Sequence, residues 1–238
     1  MIKTVVFDFA DTIARLEPSK EKIMAQYLKE RLSITISMEK IAQAYFYLQN
    51  FSFYSSVKIV TPEQKKEFYR DYNKKIFSTL GILHHVEPFL DDFFAYFIAC
   101  NKHWVIKPEA LDLLQYLKNK KIQIGLISNF DTVLYDILEK NLQIKEFFSY
   151  IHISQEIGLE KPDIGFYKNF LEKYELNQKT ILYVGDNYQL DFLPTYELGF
   201  KSLLLDEEQH YISVPDLPRI SSLHEIKTLL VDNEDHHK

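Results

Sequence analysis

Short apolar runs that stop on polar side chains recur along this chain, separated by amphipathic stretches. This alternation constrains the fold more than any other feature. Residues 4–9 ("TVVFDF") read as a buried strand, as do "IQIGLIS" (122–128), "YIHIS" (150–154), "ILYVGD" (181–186) and "KSLLL" (201–205). Within 162–174, Ile164, Tyr167, Phe170, Leu171 and Tyr174 recur at helical spacing, and 108–120 and 131–140 carry similar patterns. Strands alternating with helices predict right-handed crossovers and a parallel sheet covered on both faces, an α/β, Rossmann-like core.

The interval 17–103 breaks this rhythm. It holds helical faces and no convincing strand: Ile23, Tyr27 and Leu28 make one face, and Ile41, Ala44, Tyr45 and Leu48 a second. Leu90, Phe93, Phe94, Phe97 and Ile98 make the clearest. A helical excursion of this length between the first two core strands predicts an inserted α-helical cap over 17–103, with 1–16 and 104–238 forming the core domain. The polar tail "DNEDHHK" reads as frayed, and its two adjacent histidines are weak grounds for a metal site.

A chain of 238 residues is long enough for one substantial core with a smaller insertion. Its formal net charge of −6 argues against general nucleic-acid binding. Cys100 stands alone, so neither an intrachain disulfide nor a cysteine-based metal site can form; following "FFAYFIA", it reads as a packing residue. The start "MIKTVVFDF" lacks the features of a signal peptide, and no uncharged apolar run approaches the roughly 20 residues that span a bilayer. A cytoplasmic protein without a membrane partner is the expectation.

In an open parallel sheet, ligands bind outside the carboxyl ends of the strands. Asp8 ends the first run, Ser128 and Asn129 the second, and Gly185, Asp186 and Asn187 the fourth, with Asp191 five residues beyond Asp186. Lys161 precedes a helix after the third. Carboxylates, a hydroxyl and an ammonium at one rim suit a hard cation and a phosphate, and two carboxylates with a carbonyl suffice for Mg²⁺. Each element also has a structural explanation: Asp131 and Ser128 are candidate helix caps, and Lys161 could pair with a surface acid.

Taken in order, "FDFADTI", "LISNFD", "EKPD" and "VGDNYQLD" resemble the four motifs of the haloacid dehalogenase-like (HAD) hydrolase superfamily, in the branch with a helical cap after the first motif. The run from "SNFDTVLYDIL" to "EKPDIGFY" is similar to the REG-2-like group of that branch. The resemblance implies Asp8 as the nucleophile that becomes an aspartyl-phosphate. It implies Thr12 and Ser128, with Asn129 beside them, as contacts to the phosphoryl group, and Lys161 as the cation that neutralises Asp8 and phosphate. It implies Mg²⁺ held by Asp8, Asp186 and the backbone carbonyl of Ala10, with Asp191 supporting it directly, through Lys161 or through water. A small phosphorylated metabolite is the implied substrate, because a cap that closes over the site excludes large ones.

One position departs from the pattern. The motif places a second aspartate two residues after the nucleophile, as general acid and base, and here that place holds Ala10. General acid–base catalysis supplies roughly 10²–10⁴ in rate, so turnover can survive its loss, most readily with acyl phosphates or phenolic esters. Asp11 could serve as the acid, although its place usually carries glycine and its side chain points elsewhere. The alternatives are a catalytically silent phosphate- or metabolite-binding protein, or a carbon–phosphorus hydrolase. The latter needs a cap lysine, for which Lys20, Lys22, Lys29, Lys40 and Lys58 are available. A carbon–halogen hydrolase, which uses no metal, fits poorly with Asp186 and Asp191. Tyr47, Phe51 and Tyr54 could sort substrates in the cap, but core packing within the cap is the better account of them.

Overall fold

The computed structural model describes residues 1–52, 61–83 and 86–235. Tyr54, Lys58 and the last three residues of the tail lie outside these, as does the side chain of Phe51. The chain divides into two compact units, one of Met1–Arg15 with Trp104–Lys238 and one of Leu16–His103.

In the first unit the strands are β1 (Thr4–Phe7), β2 (Ala14–Glu17, continuing into the second unit), β3 (His103–Ile106, starting on the last residue of the second unit), β4 (Gln123–Ser128), β5 (Tyr150–Ile153), β6 (Ile181–Gly185), β7 (Lys201–Leu205) and β8 (Arg219–Ile220). Six of them form a parallel sheet in the order β5-β4-β1-β6-β7-β8, while β2 pairs with β3. Phe7 lies opposite Leu126 on one side and Val184 on the other, so β1 is central and buried on both faces. Its side chains alternate accordingly. Val5 and Phe7 enter one apolar core and Val6 the other.

The second unit holds α1 (Lys20–Leu32), α2 (Met38–Tyr47), α3 (Pro62–Thr79) and α4 (Glu87–Ala99), packed around Ile23, Tyr27, Leu28, Ile41, Phe77 and Leu90. Ser19 caps α1, and Thr61 and Gln64 close a capping box on α3. Ile98, expected on the buried face of α4, is 59% exposed. At 100° per residue it sits roughly 80° from Leu90 and roughly 140° from Phe93, outside the stripe that those two define. Cys100 is half-buried against this helical core.

The remaining helices belong to the sheet. They are α5 (Pro108–Asn119), α6 (Val133–Asp136), α7 (Ser154–Ile157), α8 (Ile164–Lys173), α9 (Leu193–Glu197) and α10 (Glu225–Asp235). Leu113 and Leu117 of α5, Leu134 of α6 and Ile226 of α10 cover one face of the sheet, and Phe166, Tyr167 and Phe170 of α8 cover the other. The sheet is an α/β, Rossmann-like arrangement. Among the described residues, no helix is long and apolar enough to cross a membrane.

Candidate active site

The strand order makes the site. From β1 the sheet grows through β4 and β5 on one side and through β6, β7 and β8 on the other, so the connections after β1 and β6 leave in opposite directions. A crevice opens at such a switch point, outside the carboxyl ends of the strands. Asp8 follows β1 and Asp186 follows β6 at that crevice. An oxygen of Asp8, one of Asp186 and one of Asp191 lie within 4.8 Å of one another.

Each side chain is held by local structure. Leaving β1, the chain turns tightly: the N–H groups of Ile13 and Ala14 both donate to the carbonyl of Phe9, and Asp11 adopts the left-handed conformation at φ 60°. That turn brings the Thr12 hydroxyl 3.3 Å from Asp8 Oδ2 and 3.2 Å from Asp186 Oδ1, while the Asp186 N–H reaches the same hydroxyl at 3.2 Å. Phe9, Trp104 and Phe130 pack their rings together, with centroids 4.8–5.8 Å apart, and stiffen the segments after β1 and β4.

After β6, Asn187 accepts the N–H groups of Gln189 and Leu190 and starts a π-helical turn over Tyr188–Phe192. Asp191 on that turn folds back over Gly185, whose missing side chain leaves the room. Its Oδ1 accepts Lys161 Nζ at 2.6 Å and the Tyr183 hydroxyl at 2.9 Å, and its Oδ2 accepts the Asn187 N–H at 3.2 Å. Lys161 Nζ also lies 2.6 Å from Asp8 Oδ1. One buried ammonium therefore ties the two carboxylates together. Asn129 holds that lysine in place: its Oδ1 accepts the Lys161 N–H at 2.8 Å, and its Nδ2 donates to the Lys161 carbonyl at 3.0 Å.

Electrostatics follow from this burial. Burial pushes the Asp8 carboxyl up to about 6; Lys161 opposes the rise and Asp191 adds to it. Burial works against a charged Lys161, but Asp191 and Asp8 outweigh it and hold the ammonium above its ordinary pKa. Burial, with Asp191 second, pushes Tyr183 well above the phenol range, so it remains a neutral donor.

The structure thus gathers Asp8, Thr12, Lys161, Asp186 and Asp191 into one hydrogen-bonded cluster. Ser128 ends β4 and is buried at 2% exposure, and Ala10 is half-buried on the turn beside Asp8. The Asn129 side chain engages the Lys161 main chain at both its polar ends, which suits a residue that fixes Lys161. Asp131 accepts the Val133 N–H at 3.1 Å and so acts locally at the start of α6. Tyr183, unremarked in the sequence, and Asn187, expected only as part of the polar end of the fourth run, complete the shell around Asp191. A tyrosine in the middle of a buried strand is the signal for the first, since its hydroxyl must find a partner.

A family model described as a haloacid dehalogenase-like hydrolase matches residues 2–193. The rhythmically expressed gene 2 protein of Drosophila melanogaster is 32% identical over 42% of this chain and 41% of its own length. The glyceraldehyde 3-phosphate phosphatase of Methanocaldococcus jannaschii is 33% identical over 39% of this chain and 40% of its own length. The chain spans about half the length of the first curated relatives it matches. Among solved structures, the HAD-hydrolase YfnB of Bacillus subtilis, bound to magnesium, superposes with a TM-score of 0.65 at 16% identity, over 96% of this chain and 98% of that one. The motifs, the strand order and these likenesses agree: the chain belongs to the haloacid dehalogenase-like hydrolase family, in the branch that carries the REG-2-like proteins.

Proposed function

We propose that this hydrolase is a Mg²⁺-dependent phosphatase of small phosphorylated metabolites, working through an aspartyl-phosphate on Asp8. The observation that carries this is the shared ammonium. Lys161 sits between Asp8 and Asp191 at 2.6 Å from each, with Asp186 on the same rim. The donors are all oxygens, the set a hard cation takes. Three carboxylates against one ammonium leave the ionised cluster with a net negative charge, which would repel a phosphate dianion unless a divalent cation joins it.

Asp8, Asp186 and the carbonyl of Ala10 would hold Mg²⁺. When bound, it supplies positive charge that lowers the pKa of Asp8 and draws phosphate oxygens into the site. Asp191 already accepts three protein donors, which favours a role through Lys161. Asp8 attacks phosphorus as its carboxylate. The bond from phosphorus to the leaving oxygen breaks, and that oxygen takes a proton from water because Ala10 has none to give. Water then attacks the aspartyl-phosphate, releasing phosphate and restoring Asp8. Lys161 neutralises the oxygens throughout, and Thr12 and Ser128 orient the phosphoryl group.

The unit Leu16–His103 is read as the cap that the family resemblance implies. The printed activity of the archaeal phosphatase supports a small phosphorylated substrate, and the magnesium of the Bacillus protein supports the choice of ion. A single cysteine, unable to form an intrachain disulfide, accords with a cytoplasmic setting. The test is hydrolysis of p-nitrophenyl phosphate and acetyl phosphate with Mg²⁺ or a chelator, for wild type and Asp8→Asn. Turnover that needs both Mg²⁺ and Asp8 is expected. Equal rates for wild type and Asp8→Asn would leave a binding protein with a silent site.

A further inference from the structure

Lys107 sits between β3 and α5 with its side chain only 8% exposed. Both ends of this residue hold the turn after β1. Its main-chain N–H donates to the carbonyl of Ile13 at 3.0 Å, and its Nζ donates to the carbonyl of Asp11 at 2.5 Å. The same Nζ lies 2.8 Å from Glu207 Oε2, just beyond β7, which gives the buried ammonium its counter-charge. Asp11 is the left-handed residue of the turn. Its φ of 60° is disfavoured for a residue with a Cβ, and its N–H is tied to the Ala14 carbonyl at 2.7 Å. A charge-assisted bond to the Asp11 carbonyl offsets that preference and fixes the peptide plane between Asp11 and Thr12. Ala10 precedes this clamp, and Thr12, whose hydroxyl links Asp8 to Asp186, follows it.

We propose that Lys107, anchored by Glu207, is a positioning residue that sets the Ala10 carbonyl for Mg²⁺ and the Thr12 hydroxyl for the phosphoryl group, resting on the Mg²⁺ and phosphate assignment made above. Lys107 touches neither the reacting atoms nor the carboxylate cluster through any hydrogen bond of its own. Its effect passes through the turn.

The test compares wild type with Lys107→Met, Lys107→Arg and Glu207→Gln in the full chain. Mg²⁺ affinity is measured by calorimetry without substrate, kcat and KM with acetyl phosphate, and folding by thermal unfolding. Lys107→Met should weaken Mg²⁺ binding by about 10- to 100-fold, the range for residues that orient metal ligands, and lower kcat more than it raises KM. Lys107→Arg, which keeps a long cation and its donors, should recover most of the affinity, and Glu207→Gln should fall between the two. Folded Lys107→Met with wild-type Mg²⁺ affinity would overturn the proposal, as would Lys107→Arg as defective as Lys107→Met. If Lys107→Met does not fold, Glu207→Gln decides, since unchanged Mg²⁺ affinity there is equally contrary. Wild type that binds Mg²⁺ without turnover would sink only the phosphatase assignment, leaving calorimetry to judge Lys107. No Mg²⁺ binding to wild type would sink both.

Discussion

Asp191 occupies the space a side chain at Gly185 would need: a Cβ there would lie 2.4 Å from both Cβ and Cγ of Asp191. Gly185→Ala must therefore move the carboxylate that holds Lys161 and Tyr183. Overpacking of this kind costs about 1–3 kcal/mol, which urea unfolding should register. Steady-state rates on acetyl phosphate should fall by about tenfold or more, as when a residue that orients the site is displaced. An alanine variant with wild-type rates would separate Asp191 from the chemistry.

Removing the ammonium shared by Asp8 and Asp191 leaves buried carboxylates without compensation. Lys161→Met should lose about 3–5 kcal/mol of stability in chelator, the range for breaking a buried ion pair from one side. Adding Asp8→Asn to that variant should restore part of the loss, because it removes one of the stranded charges. Urea unfolding of the single and double variants checks the sign of the coupling.

Ala10 marks where proton transfer is missing. Ala10→Asp should raise kcat on alkyl phosphates by about 10²–10⁴, the usual contribution of a positioned acid. The gain on acetyl phosphate should be much smaller, since its leaving group needs little protonation. The ratio of the two gains, measured at saturating Mg²⁺, is the informative quantity. Equal gains on both substrates would mean that Ala10→Asp acts on binding instead.

His152 sets an acid limit on stability. It is fully buried in β5, stacked on Phe166, with Nε2 donating to the Phe166 carbonyl at 3.1 Å and no hydrogen-bond partner for Nδ1 among the described residues. Burial lowers its pKa from 6.5 to about 4; the Phe166 carbonyl opposes this and Lys173 adds to it. The unfolded chain therefore binds a proton near pH 6.5 that the folded chain refuses until about pH 4. Its contribution is full above pH 6.5 and is lost progressively between 6.5 and 4. His152→Gln, which keeps a donor for the Phe166 carbonyl, should flatten the fall in unfolding free energy across that window. A slope identical to wild type would contradict this.

Much of the core was legible because its signals are local. Apolar runs bounded by polar residues mark β4 to β7 to within two residues, and β1 is shorter than 4–9 because the tight turn begins at Phe9. The strands β2 and β3 were missed at the edges of an interval read as helical, since "ARLE" and "HWVI" become strands through pairing with each other. Helix α3 escaped notice because its charged sequence buries little beyond Ile76 and Phe77. The segment 131–140 is helical as expected, but α6 opens into a π-turn over Ile137–Asn141. In the site, Asp8, Lys161, Asp186 and Asp191 could be named from residue type and order. Lys107 and the hold of Asn129 on Lys161 could not, because those contacts exist only once residues distant in sequence are brought together. Tyr183 reaches Asp191 only eight residues on, and its place in a buried strand was the one signal for it.

In the proposed reaction Asp8 carries the phosphoryl group. The most direct measurement is to quench the enzyme in acid during turnover of acetyl phosphate with Mg²⁺, reduce it with borohydride, and sequence the peptide containing residue 8 by mass spectrometry. Homoserine should stand in place of Asp8, and should be absent when chelator is present. Sustained turnover with Asp8 unmodified, or with Asp8→Asn as active as wild type, would contradict it.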